Sequence, residues 1–168
     1  KARGATARGV AVIDDKTTEN ELDAMQADGF LGIRINLATD GVNNPDVGRA
    51  RFTAAVERMT SRGWHVQLYT TLAMISAIKD LVLDSPVPAV FDHFGGLEAS
   101  LGLEQPGFAD LIALVKSGKV YVKISGAYRS SSLAPDYQDV APYARALISA
   151  NPDRIVWGTD WPHPDSAQ

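Results

Sequence analysis

The sequence predicts an α/β fold built on parallel strands. Six short apolar or β-branched runs alternate with five amphipathic stretches along 168 residues. No long linker or low-complexity segment interrupts them, and each run closes on its C-terminal side in a polar residue. Regular strand–helix alternation implies parallel strands joined by right-handed crossovers. Residues 1–168 read as a single domain. Alternation alone leaves an open doubly wound sheet and a closed barrel both in play. No Gly-rich phosphate fingerprint follows the first strand, which weakens the nucleotide-binding version.

Each element has its own signal. Gly9-Val10-Ala11-Val12-Ile13 is the first strand, ending in Asp14-Asp15. Thr18 with Glu21 three residues on makes a capping box, and a helix bearing Leu22 and Met25 runs to a stop at Gly29. Gly32-Ile33-Arg34-Ile35-Asn36 is the second strand. A helix from about Asp46 carries Phe52, Ala55, Val56 and Met59 on one face and closes at Gly63. His65-Val66-Gln67-Leu68-Tyr69 is strand again, followed by a helix with Leu72, Ile75, Ile78 and Val82. Ala89-Val90-Phe91-Asp92-His93 comes next, then a Gly-rich loop and a helix with Leu111, Ile112, Leu114 and Val115. Val120-Tyr121-Val122-Lys123-Ile124 is the fifth strand, and Val140, Tyr143, Ala144, Leu147 and Ile148 mark the fifth helix. Arg154-Ile155-Val156-Trp157-Gly158 is the sixth, an apolar run expected to be buried.

Composition narrows the function. Hydrophobic content of 45% and charged content of 21% are those of an ordinary globular domain. The formal net charge is -4 and no Lys/Arg stripe forms, so nucleic acid and an anionic membrane are not expected as partners. No apolar run approaches a transmembrane length, and no signal-peptide pattern opens the chain. With no Cys there is neither a disulfide framework nor a thiolate metal site, which fits a reducing cytoplasm.

Polar residues gather at the strand ends: Asp14, Asn36, Tyr69, His93, Lys123 with Ser125, and Asp160. Parallel α/β proteins build their sites at this end of the sheet, so a converging ring is expected. Asp160, between Trp157-Gly158-Thr159 and Trp161-Pro162-His163, reads as a general base, a metal ligand or a structural cap. His93 occupies the corresponding place on another strand and is its expected partner. Arg34, inside an apolar strand, is costly to bury unless it meets an anion. Arg129 reads equally as a bidentate clamp on a substrate carboxylate or as a surface ion pair. His163 reads as a partner of Asp160 or a plain loop residue. His65 begins its strand, points to the opposite end and receives no role.

With these residues in view the chain resembles the amidohydrolase-2 family of TIM-barrel hydrolases, on the branch of the 2-pyrone-4,6-dicarboxylate and sugar-acid lactonases. The resemblance rests on Gly32-Ile33-Arg34-Ile35-Asn36, Trp64-His65-Val66-Gln67-Leu68-Tyr69, Phe91-Asp92-His93-Phe94-Gly95-Gly96, Val122-Lys123-Ile124-Ser125-Gly126-Ala127-Tyr128-Arg129 and Trp157-Gly158-Thr159-Asp160-Trp161-Pro162-His163. It implies a (β/α)₈ barrel of which about the last six strands are present, so the sequence is expected to be part of a longer protein. It also implies a hydrolase that opens the lactone ring of a small carboxylated substrate without a cofactor. In that pattern Asp160 activates water, His93 polarises the carbonyl, and Arg34, Tyr69 and Arg129 hold the substrate. A divalent cation such as zinc, held by His93 and Asp160 among other ligands, is the alternative, in an amidohydrolase or decarboxylase. A non-catalytic binding barrel is the third reading. The family's first-strand His-x-His occurs nowhere in this sequence, and Leu37-Ala38-Thr39-Asp40 supplies no second arginine after Arg34.

Overall fold

The computed structural model describes residues 6–163. Six parallel strands pair in sequence order: β1 (Gly9–Ala11), β2 (Phe30–Asn36), β3 (His65–Tyr69), β4 (Ala89–Phe91), β5 (Val120–Ile124) and β6 (Ile155–Trp157). A doubly wound sheet reverses its strand order at a switch point, and this sheet has none. Sequential order in a curled sheet is the arrangement of a (β/α)₈ barrel, of which six strands are present here.

Five helices connect the strands: α1 (Glu19–Ala27), α2 (Pro45–Thr60), α3 (Leu72–Asp84), α4 (Phe108–Ser117) and α5 (Ala141–Ala150). Their starts follow from local chemistry. Thr18 and Glu21 form the expected capping box on α1. Asn44 caps α2 through Asp46 N, with Pro45 in the first turn, and Thr71 caps α3 through Met74 N. Helix α2 packs on α3, α3 on α4 and α4 on α5. Leu72, Ile75, Ile78 and Val82 of α3 are all buried, as their spacing predicts. Truncating a fully buried residue such as Ile78 to Ala costs about 2–5 kcal/mol.

Strand alternation divides the sheet into two faces. Ile33, Val66, Leu68, Phe91, Val120 and Val122 pack outward into the core beneath the helices. Arg34, Gln67 and Lys123 stand on the concave face. The register sets Arg34 opposite Gln67, Asn36 opposite Tyr69, and Lys123 opposite Val156.

Four expectations are corrected. Strand β1 ends at Ala11, not Ile13, and Val12 is exposed. Asp14 does not join a ring of strand-end groups. It is exposed, and its Oδ1 accepts from the Lys16 and Thr17 amides, forming the turn that ends the extended segment. Strand β6 is not buried: Val156 and Trp157 are 37% and 73% exposed, because β6 pairs on one side only and no helix among the described residues covers it. Ile148 of α5, expected on the buried face, is also exposed. No helix among the described residues is long and apolar enough to cross a membrane.

Candidate active site

The site begins with a change of backbone hand. Asp92 continues the extended path of β4, but the next four residues, His93, Phe94, Gly95 and Gly96, have φ of 47°, 56°, 74° and 69°. On a regular strand, neighbours face opposite sides. The left-handed turn is what lets adjacent Asp92 and His93 both serve the concave face. A non-glycine residue in this conformation costs about 1–2 kcal/mol. The Gly95 amide donates to the Asp92 carbonyl at 2.9 Å, and burial of Phe94 further offsets the cost. Gly96 is required by contact as well, since a Cβ there would collide with the Thr70 carbonyl oxygen.

Asp160 follows β6 with a left-handed φ of 55°. Its Oδ2 accepts two hydrogen bonds, from the Tyr128 hydroxyl at 2.5 Å and from Arg129 Nε at 2.8 Å. Its Oδ1 lies 3.7 Å from His93 Nε2. Tyr128 and Arg129 are adjacent in a short 3₁₀ turn, Ala127–Arg129, entered through Gly126. A Cβ on Gly126 would sit 2.8 Å from Asp160 Oδ2 and 2.9 Å from His93 Nδ1, so only glycine fits between them. On its far side His93 Nδ1 meets Ser125 Oγ at 3.1 Å, and its ring stands edge-on to Tyr69 at 5.2 Å.

These contacts set the protonation states. Burial pushes the Asp160 carboxyl up, but the Tyr128 and Arg129 hydrogen bonds and the charges of His93 and Arg129 outweigh it, holding the group below its ordinary value. Burial pushes His93 down, against the opposing pull of Asp92 and Asp160, which favours the neutral ring near pH 7. The Tyr128 hydroxyl is pushed up to about 12 by burial and by its hydrogen bond to Asp160, so it stays a donor.

A second cluster lies beside the first. Asp92, 1% exposed at its side chain, accepts from Arg34 Nε at 2.8 Å, Gln67 Nε2 at 2.9 Å and Lys123 Nζ at 2.7 Å. Arg34 and Arg129 flank the Tyr69 ring at 5.4 and 5.6 Å, a cation–π arrangement that fixes both guanidinium groups. A cavity of about 350 Å³ joins the clusters, lined by Arg34, Asp92, His93, Lys123 and Asp160 among others. Another, of about 390 Å³, lies between β2 and α2, but there Arg51 is paired with Asp40 and Arg58 with Glu19 and loop carbonyls.

The structure thus brings together Arg34, Tyr69, His93, Arg129 and Asp160, all singled out in the sequence. Arg129 is an ion-pair partner, but of Asp160 in the site. His163 stands edge-on to Tyr128 at 6.2 Å, and its amide donates to the Asp160 carbonyl at 2.7 Å. His65 is half-buried over Gly32, on the strand face of Gln67, where it feels the charges of Lys123 and Asp92 without lining the cavity. Sequence reasoning passed over Asp92, Gln67, Tyr128 and the role of Lys123. Alternation places Gln67 and Lys123 on the Arg34 face, so that signal was available. For metal, His93 Nε2 and Asp160 Oδ1 offer two donors, and among the described residues no group of three or more His, Cys, Asp or Glu side chains gathers.

Comparison with known proteins agrees with this architecture. A 4-sulfomuconolactone hydrolase from Hydrogenophaga intermedia is 32% identical over 154 residues, 92% of this chain and 50% of that protein. A 2-pyrone-4,6-dicarboxylate hydrolase from Comamonas testosteroni is 30% identical over 98% of this chain and 56% of its own length. An apo crystal structure from Agrobacterium tumefaciens superposes with a TM-score of 0.82 at 30% identity, covering 99% of this chain and 60% of that one. The chain therefore spans 50% and 56% of the lengths of these two curated relatives. Residues 1–168 match the amidohydrolase family Amidohydro_2 throughout, and the chain belongs to that family.

Proposed function

We propose that the protein is a hydrolase that opens the cyclic ester of a small carboxylated lactone, with Asp160 as the base. The observation that carries this reading is the asymmetry of the Asp160 carboxylate. Oδ2 takes the hydrogen bonds of Tyr128 and Arg129, while Oδ1 faces His93 without bonding to it. One oxygen is anchored and the other keeps lone pairs for a proton.

The chemistry follows from these states. Ionised Asp160 takes a proton from water as the water oxygen bonds to the lactone carbonyl carbon. A carboxylate held below its ordinary pKa is a weak base, so the proton moves late, once bond formation has acidified the water. Neutral His93, whose Nδ1 meets Ser125 Oγ, offers a ring N–H to the developing oxyanion in the tautomer that carries its proton on Nε2. Collapse breaks the ring C–O bond, and the departing oxygen takes the proton back from Asp160, giving a hydroxy acid. Arg34 and Tyr69 hold the carboxylated end. Arg129 first orients Asp160 and contributes to substrate second.

The names of the relatives support a lactone as substrate, and a related Acinetobacter baumannii structure, 27% identical, holds citric acid. Among the described residues His93 and Asp160 are the side chains that could hold a divalent cation, which would polarise the carbonyl or the attacking water if bound, and no step is routed through one. The test is Asp160→Asn in the whole protein, with lactone opening followed before and after chelation. A fall of about 100-fold or more is expected for the variant, with chelation neutral for the wild type. Unchanged turnover in Asp160→Asn sinks the assignment, and activity lost with the metal and restored by zinc transfers it to metal chemistry.

A further inference from the structure

Asp92 is a single buried carboxylate facing two cations. Lys123 Nζ bonds one oxygen at 2.7 Å and Arg34 Nε the other at 2.8 Å, with Gln67 Nε2 sharing the second. One cation would neutralise it, so among the described residues this wall of the cavity carries a surplus positive charge. The Asp160 end is balanced instead, Asp160 against Arg129, with His93 neutral. A guanidinium has five donors and an ammonium three. Arg34 and Lys123 each spend one on Asp92 and make no other hydrogen bond within the described residues. Their side chains are 28% and 27% exposed and line the same cavity as His93 and Asp160. An unbalanced charge on a partly desolvated wall is costly until an anion joins it. A merely structural Lys123, present to neutralise Asp92, leaves that surplus unexplained.

We propose that Arg34 and Lys123, aimed by the two oxygens of Asp92, form an anion subsite that takes the carboxylate of the substrate, and that Lys123 is a specificity-determining residue. The identity of the ligand rests on the lactone-hydrolase reading; its charge does not. One surplus charge matches one carboxylate. The subsite opens into the same cavity as His93 and Asp160, so a carboxylate held there lies beside the groups that open the ester.

The test uses the whole protein and two unreactive probes, tetrahydrofuran-2-carboxylate and its uncharged carboxamide, titrated calorimetrically. The unsubstituted protein is expected to prefer the acid by about tenfold or more. Lys123→Gln should weaken acid binding by about tenfold and leave the amide unchanged, while Lys123→Arg keeps most of the preference. Equal affinity for acid and amide in the unsubstituted protein overturns the subsite, and that comparison stands even if Lys123→Gln does not fold. Acid binding unchanged in a folded Lys123→Gln overturns it as well. Turnover of a carboxylated lactone is followed separately, with KM expected to rise about tenfold in Lys123→Gln and kcat to change about threefold or less. A protein that prefers the acid yet opens no lactone keeps the subsite and loses the hydrolase reading. One that opens lactones with KM unmoved by Lys123→Gln keeps the hydrolase and loses the subsite.

Discussion

The Tyr128 hydroxyl reaches Asp160 Oδ2 at 2.5 Å, on the same oxygen that receives Arg129 Nε at 2.8 Å. Adjacent residues on one short turn therefore saturate one side of the carboxylate and leave Oδ1 toward His93 and the cavity. Orientation and ionisation of Asp160 have a common cause.

Removing one donor should disturb both. In Tyr128→Phe the carboxyl loses a hydrogen bond to its charged form, at a cost of about 1–2 kcal/mol. The pKa of Asp160 lies below the ordinary 3.8, so its hydrogen bonds contribute stability above that value and lose it as pH falls through the folded pKa. Tyr128→Phe should move the acid limb of the rate profile to higher pH, with kcat down about tenfold. A limb that stays in place shows that Tyr128 does not tune Asp160.

Gly126 separates steric need from backbone strain. Its φ is 59°, and a Cβ would press on both Asp160 and His93. Gly41 has a similar φ of 65° with nothing within 4 Å. Gly126→Ala and Gly41→Ala should each lose about 1–2 kcal/mol in thermal melts. Only Gly126→Ala should also cost about 100-fold or more in turnover. Equal effects on turnover would mean that the close approach has no bearing on catalysis.

The positions of Arg34, Tyr69, His93 and Asp160 were legible because strand–helix alternation puts C-terminal strand residues at one end of a parallel sheet. Capping chemistry fixed helix starts to within a residue, as at Thr18. Asp92 was not legible. Period-2 alternation puts Asp92 and His93 on opposite faces, and only a backbone that turns left-handed at His93 reconciles them. The Gly95-Gly96 pair hinted at such a turn without stating its hand. Strand β6 was misjudged for a different reason. An apolar run such as Ile155-Val156-Trp157 reports what a strand can bury, whereas exposure depends on what lies beside it.

Histidine titration should show in stability. Burial lowers His93 and His65 below the ordinary 6.5. For both, the unfolded chain binds protons more readily, so stability is full above 6.5 and falls as pH drops from 6.5 toward the folded values. Melting temperature should decline across that window. His65→Gln and His93→Gln should each flatten the slope, but the larger loss of turnover should come from His93→Gln, since His93 lines the cavity and His65 does not. A slope unaltered in both variants would place its origin elsewhere.

Asp92 should matter more to stability than any surface carboxylate. Asp92→Asn keeps the shape but leaves Arg34 and Lys123 as neighbouring cations without the charge they share. Breaking a fully buried pair costs about 3–5 kcal/mol, and with both partners about a quarter exposed a loss of about 2–4 kcal/mol is expected. Asp40→Asn is the comparison, since its pair with Arg51 is 44% and 47% exposed and should be worth about 1 kcal/mol or less. Denaturant melts at low salt would compare them. The Asp92→Asn loss should shrink when a simple carboxylate such as acetate is added, because an anion bound from the cavity against Arg34 and Lys123 supplies the charge that the amide lacks. A loss no larger than that of Asp40→Asn would mean that the two cations do not depend on Asp92 for their placement.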